Sequence, residues 1–313
     1  MKVCSFLPAA TQMIYDMGLQ EHLYGVTFEC SKQALEEKQK VVRYVLEGNT
    51  YTSIQIDKIF SDSKAEGKSM YYVDDAVLQQ IQPDIIFTQD VCEVCQIDTA
   101  CTATAVAKLT KQPLLIPLTP NNLIDVFNTA IVIAKAMGKE EAAHKYLTGL
   151  QNKIDFIVDE IRRRRAMPKR VMLMEWIEPI YNCGHWIPYQ VAYAGGIDMM
   201  GNPGGDSIVT PWEKVLRYNP DILIIAPCGF EVKRTMEELH LLTGRPGWGG
   251  LQAVQDNNVF IADYDLFTQP SAGTLVDGIQ LLAAIFNAKL FTVPAHLRHK
   301  YVNIKKVEEY AQP

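Results

Sequence analysis

The sequence predicts an α/β protein of two lobes, each a parallel sheet wrapped by helices, with a rigid helical connector between them. Three observations carry that reading. Short, fully apolar runs alternate with amphipathic stretches along the 313 residues, the pattern of strands covered on both faces. One signature occurs twice: "IQPDIIFTQDVCEVC" (81–95) aligns with "YNPDILIIAPCGFEV" (218–232) as helix end, Pro-Asp, apolar strand, cysteine. Between the two, residues 121–166 keep a 3.6-residue periodicity with no Gly/Ser linker. The expected division is an N-terminal α/β lobe over 1–120, connecting helices over 121–166 and a C-terminal α/β lobe over 167–313, each lobe Rossmann-like.

In chain order, "MKVCSFL" reads as a buried strand and "PAATQMIYDMGL" as a helix ended by Gly18. "LYGVTFEC" is a second strand. "DDAVLQQIQ" is a helix leading into the strand "PDIIFTQ", and "PLLIPL" closes the first set. The connector begins with Asn121 or Asn122 as N-cap and breaks at Gly138, giving two helices. Lobes joined this way rock slightly and do not close like a jaw. The second set repeats the grammar: strand "KRVMLMEW", helix "WIPYQVAYAGG", helix "TPWEKVLRYN", strand "PDILIIAP" and strand "NVFIADY". The Gly-rich run "GNPGGD" (201–206) reads as a turn, because it lacks any phosphate-loop frame.

Composition narrows the function classes. A formal charge of −6 argues against a nucleic-acid binder. The one dense basic run, Arg162–Arg165, sits where it complements a helix C-terminus. No stretch of about 18 apolar residues exists, so no membrane span is expected. Pro8, Thr11, Gln12 and Asp16 interrupt any signal-peptide core, so the expected location is cytoplasmic, with a periplasmic or surface site only if a leader has been removed. Seven cysteines, an odd number, do not suggest a disulfide framework in a reducing compartment. No G-x-S-x-G elbow or H-E-x-x-H helix points to a common hydrolase.

Ligands of open α/β sheets bind beyond the carboxyl ends of the strands. The residues that follow the strands are therefore the candidates: Pro8, Thr11, Glu29, Cys30, Gln89 and Asp90 in the first lobe, and Glu175, Trp176, His185, Trp186, Phe230 and Tyr264 in the second. Aromatic faces there would wall a flat ligand, and imidazole is a common axial ligand for cobalt or iron. Glu178 and Glu93 add carboxylates; Trp248, in "RPGWGG", reads as core. Cys92 and Cys95 in "TQDVCEVC" admit three readings: a redox pair, a ligand or metal contact, and plain packing. Asp90 and Glu93 beside them disfavour the thiolate that redox chemistry needs. With Cys30, Cys228 and His185 the pair would complete a transition-metal site, although no second close pair supplies a zinc-ribbon spacing. Cys4 and Cys101 read as packing.

The phrases "VTFEC", "TQDVCEVC", "EWIEP", "GHWIP", "PCGFE", "RPGW" and "VDGI" resemble the helical-backbone substrate-binding proteins of ABC importers, the vitamin B12 and iron–siderophore family, and more closely a leaderless subgroup labelled cobalamin-binding protein. The likeness runs from "CSFLPAATQMIYDMGL" to "LVDGIQLLAAIF". It implies a class III periplasmic-binding-protein-like fold and a corrinoid (cobalamin or a precursor) or related metal chelate held in an inter-lobe cleft, without catalysis. An ABC permease is the implied partner if the protein is exported. The alternative is a cytosolic metallo-thiolate enzyme or metal chaperone that uses the Cys, His and Glu residues above.

Overall fold

The computed structural model describes residues 1–89 and 99–305. The chain forms two compact units, Met1–Pro120 with Ile124–Thr148, and Asn121–Leu123 with Gly149–Pro313. Asp90, Cys92, Glu93 and Cys95 lie outside the described residues, as does the side chain of Cys101.

Unit 1 runs β1 (Val3–Ser5), α1 (Pro8–Asp16), β2 (Leu23–Thr27), α2 (Lys32–Glu37), β3 (Gln39–Tyr44), α3 (Ser53–Ala65), β4 (Tyr71–Val73), α4 (Asp75–Ile81), β5 (Ile85–Thr88), α5 (Thr99–Val106), β6 (Leu114–Pro117) and α6 (Leu123–Ala136). Its six strands lie in the order β4-β3-β2-β1-β5-β6. The pairs are parallel except β3 with β4. The expectation of a purely parallel sheet is corrected at that edge, where the connection reaches only a three-residue strand that returns antiparallel. β1 lies between two parallel neighbours and is buried throughout, as its apolar run requires. Cys4 is a packing residue: it is fully buried, and a Cβ on Gly25 would stand 2.6 Å from its sulfur.

Gly138 takes φ +67 after α6, and α7 (Glu140–Arg164) follows. Arg163 and Arg164 pair with Glu160 on the last turns of α7, and Arg162 with Asp159, so the basic run is largely answered locally.

Unit 2 continues with β7 (Lys169–Met174), β8 (Gly184–His185), α8 (Ile187–Tyr193), β9 (Gly196–Ile197), β10 (Asn202–Pro203), α9 (Trp212–Tyr218), β11 (Ile222–Ile225), α10 (Val232–Glu238), α11 (His240–Thr243), α12 (Gln252–Gln255), β12 (Val259–Ala262), α13 (Ala272–Phe286) and β13 (Tyr301–Asn303). Five strands lie in the order β13-β12-β11-β7-β9, again with an antiparallel edge, β13 on β12. β8 and β10 form a separate two-stranded piece. The reading of 201–206 as a turn alone is therefore corrected: Asn202 and Pro203 pair with Gly184 and His185. Trp248 belongs to the core of this unit, stacked 6.4 Å from Trp212.

The repeated Pro-Asp pair has one physical meaning in both units. α4 ends on Gln82 at φ 49 and α9 on Asn219 at φ 48, left-handed caps after which proline cannot continue the helix. The aspartate that follows is tied to the start of the neighbouring strand. Asp84 N–H donates to Lys2 O at 2.7 Å, and its carboxylate accepts from Lys2 N–H at 2.7 Å. Asp221 N–H donates to Arg170 O at 2.8 Å, and its carboxylate accepts from Arg170 N–H at 3.1 Å.

Candidate functional site

The carboxyl end of β7 gathers the densest chemistry of unit 2. Glu175, the first residue beyond the strand, is half-buried. Its Oε1 accepts the Gly184 N–H at 3.0 Å and its Oε2 accepts the Ser207 hydroxyl at 2.5 Å. Its backbone oxygen accepts the Cys228 N–H at 3.0 Å. One residue therefore ties together the ends of β7 and β11 and the β8–β10 piece. Burial pushes its carboxyl up to about 7, and the two donors offset part of that rise.

Trp176 is half-buried, donates its indole N–H to Glu178 O at 3.2 Å and lies 5.1 Å from the ring of Phe230. Phe230 is itself buried, with the Arg234 guanidinium 4.4 Å over its face. Tyr264 N–H donates to Phe230 O at 3.1 Å, which fixes the end of β12 beside the same ring. Glu178 is paired with Arg245, so its charge is already answered.

His185 is held tightly. Its backbone takes φ +52, a region that L-residues seldom adopt. Its N–H donates to Gly205 O at 2.7 Å and its carbonyl accepts from Gly204 N–H at 2.9 Å. The ring stacks on Trp186 at 5.3 Å, and burial holds its pKa below the usual imidazole value. A glycine is required at 184, where a Cβ would stand 2.5 Å from Gly205 O and from Ser207 N. Trp186, expected to line a ligand, is instead an interior support: it is buried and its indole N–H donates to Phe267 O at 2.6 Å. It is the N-cap of α8, and its ring turns inward while the His185 side chain stays partly exposed.

In unit 1, Pro8 and Thr11 are buried in α1, and Thr11 Oγ1 accepts the thiol of Cys30 at 3.3 Å. The Cys30 thiol is pushed up to about 12 by burial. Without a metal the thiol is therefore neutral, and a metal would have to displace its proton in order to bind. Glu29 is half-buried, accepts no hydrogen bond among the described residues, and burial pushes its carboxyl up to about 7. Gln89, half-buried, follows β5. Among the described residues, no three His, Cys, Asp or Glu side chains converge to hold a metal ion; the expected metal site draws on Cys92 and Cys95, which lie outside the described residues. Cys228 is exposed.

Two features escaped sequence reasoning. Ser207, which fixes Glu175, is far from it in the chain and carries no local motif. Phe28, Tyr44 and Tyr71 form a cluster of near-parallel rings at the carboxyl side of the unit 1 sheet, with centroids 5.1 to 6.0 Å apart. The Phe28 ring lies within the quoted "VTFEC", but its partners come from a stretch without strong periodicity.

A model of the family described as periplasmic binding protein matches residues 5–266. The chain belongs to the periplasmic binding protein family. Solved structures extend the likeness over nearly the whole chain. A periplasmic heme-binding protein from Pseudomonas aeruginosa has 15% identity and a TM-score of 0.68, covering 95% of this chain and 96% of that one. The vitamin B12-binding protein BtuF of Vibrio cholerae has 16% identity and a TM-score of 0.58, covering 92% and 96%. A Fe3+-hydroxamate transport protein from Saccharomonospora viridis has 13% identity and a TM-score of 0.63, covering 91% and 92%. At such identities these neighbours show the fold of this binding protein, the class III periplasmic-binding-protein type. Among curated proteins nothing matches the sequence significantly. Among the described residues, no helix of the binding protein is long and apolar enough to cross a membrane.

Proposed function

We propose that this periplasmic binding protein holds a corrinoid, cobalamin or a precursor, or a closely related metal chelate, and passes it to an ABC permease without altering it. The supporting observation is the grouping at the end of β7. A tilted Trp176–Phe230 pair, a carboxyl that titrates near neutrality and a neutral imidazole are fixed on one rim of unit 2. Aromatic faces give large apolar contact at low entropy loss, and a few placed polar groups give orientation. The neighbours named for heme, vitamin B12 and a ferric hydroxamate share one chemistry, a metal already wrapped by an organic ligand.

All four tryptophans lie in unit 2, so quenching of their emission by an absorbing macrocycle reports binding there. Titration with cobalamin, cobinamide, hemin and a ferric hydroxamate is expected to give saturable quenching by a corrinoid at micromolar protein, weakened when Trp176 is changed to alanine. Absence of saturation with all four ligands would remove the proposal.

A further inference from the structure

Two arginines stand beside the rings of unit 2, and neither is free. The Arg234 guanidinium lies 4.4 Å over Phe230, yet it pairs with Glu237 and with the buried Glu238. Arg245 lies 5.7 Å over Trp212 and pairs with Glu178, whose carbonyl oxygen accepts the Trp176 indole N–H at 3.2 Å. Lys300, whose carbonyl accepts the Asp263 N–H at the end of β12, pairs with Asp265. Lys233 is exposed and shares a crevice of about 470 Å3 with Glu231, Asp263, His299 and Lys300. Acids are left over. Among the described residues, the Glu175 carboxyl meets only neutral donors, the Gly184 N–H and the Ser207 hydroxyl. Asp263 likewise accepts the Val232 N–H at 2.8 Å. His185 adds no positive charge at neutral pH, because burial holds its pKa below the usual imidazole value.

We infer that the unit 2 rim selects by charge: the chelates it retains carry an uncharged, amide-bearing periphery, and carboxylate-bearing ones are rejected. This rests on the chelate-binding reading above and narrows its ligand class. Arginine recognises a carboxylate through paired N–H donors. Here both guanidiniums direct donors at carboxylates of their own chain and lay a face on a ring. To take a peripheral carboxylate, Arg234 would have to leave Glu238 and strand a buried charge, which costs more than a half-exposed pair returns. Arg245 would have to leave Glu178, next to Trp176. An amide makes no such demand. Its N–H groups donate to an ionised Glu175 and its oxygen accepts from the protonated acid, so it suits a carboxyl that titrates near neutrality. A carboxylate is repelled by the ionised form and by a chain of formal charge −6.

The test compares two corrinoids that share the corrin and have both axial positions filled by cyanide: dicyanocobinamide, with amide side chains, and dicyanocobyrinic acid, with carboxylates in their place. Hemin, which also carries carboxylates, is the third ligand. Binding to the intact protein is read by tryptophan quenching. The amide form should saturate at micromolar protein, and the acid should bind about a hundredfold more weakly. Glu178→Gln, which releases Arg245 from its carboxylate, should strengthen binding of the acid about tenfold, a gain that a disturbed fold does not produce. High salt screens the same repulsion and should strengthen binding of the acid to the native protein, whether or not the variant folds. Equal affinities for the two corrinoids, or tighter binding of the acid or of hemin, would overturn the charge selection and leave chelate binding standing. A preference that neither the substitution nor salt alters would overturn it too. If none of the three binds, both readings fall.

Discussion

Replacing Glu175 by glutamine should stabilise unit 2 above neutral pH and leave it unchanged in acid. The carboxyl is pushed from its ordinary 4.5 to about 7 by burial, so the folded protein prefers the protonated form. The favourable contribution of that neutral form is fully present below pH 4.5 and is lost as pH rises through 7. Taken over the interval between the two values, the loss reaches about 3 kcal/mol by pH 8, and about 2 kcal/mol is a fairer figure for a half-buried group with some access to water. Glutamine mimics the neutral acid and keeps both contacts. Its Oε1 accepts from Gly184 N–H, and its Nε2 donates to Ser207 Oγ, whose hydroxyl rotates to become the acceptor. Urea denaturation followed by tryptophan emission isolates unit 2, because all four tryptophans are there. The stability of Glu175→Gln minus that of the native protein should be near zero at pH 4 and rise to about 2 kcal/mol at pH 8. Groups common to both proteins cancel in that difference. A gap that is the same at both pH values, or that favours the native protein at pH 8, would show that the donors to Glu175 outweigh its burial.

Two more outcomes follow from packing. Gly278 lies in α13, where alanine would normally help a helix, yet its Cβ would stand 2.3 Å from Leu266 O and 2.7 Å from Gln190 Nε2. Gly278→Ala should therefore lower stability by roughly 1–3 kcal/mol, seen as an earlier urea midpoint; an unchanged midpoint would mean that the Leu266 segment yields freely. Among the described cysteines, Cys228 is exposed, whereas Cys4 and Cys30 are buried with thiols pushed up to about 12, and Cys183 is buried and raised by desolvation. Brief alkylation of the native protein with peptide mapping should modify Cys228 and leave those three until denaturant is added; early labelling of Cys30 would contradict its pairing with Thr11.

The central strands were legible because burial on both faces forces an uninterrupted apolar run, as in Ile85–Phe87 and Ile222–Ile225. The edges were not. β3 buries only Val41 and Val42, side by side between more exposed residues, so it shows neither a long apolar run nor alternation, and β4 and β13 have three residues each, too short to leave a period. The strand-end reading put Glu175, Trp176, Phe230 and Tyr264 at the carboxyl side of the unit 2 sheet, where the structure places them. Sequence could not say which rings face inward: Trp186 and His185 are neighbours, yet one anchors the interior and the other stays half-exposed because of a left-handed backbone turn. Nor could it link Glu175 to Ser207, since that bond depends on β8 and β10 pairing through glycines that leave no apolar signal.

The two halves agree at one end of their sheets and differ at the other, and this divides stability from function. At the amino ends, Asp84 and Asp221 make the same pair of backbone contacts to Lys2 and Arg170, after the same left-handed cap and proline. Both carboxylates are held below the usual range by their basic partners, Lys111 for Asp84 and Arg170 for Asp221, so these pins favour the fold at neutral pH. At the carboxyl ends the corresponding strands lead to unlike groups. β1 leads to the interior Thr11–Cys30 contact, whereas β7 leads to Glu175 and the strained His185. Both halves keep what a strand needs in order to start. Only the carboxyl ends are left to diverge, and there both Glu29 and Glu175 retain carboxyls displaced toward neutrality against the interest of stability. Burial accounts for both displacements, and groups displaced in this way are candidates for a functional rim.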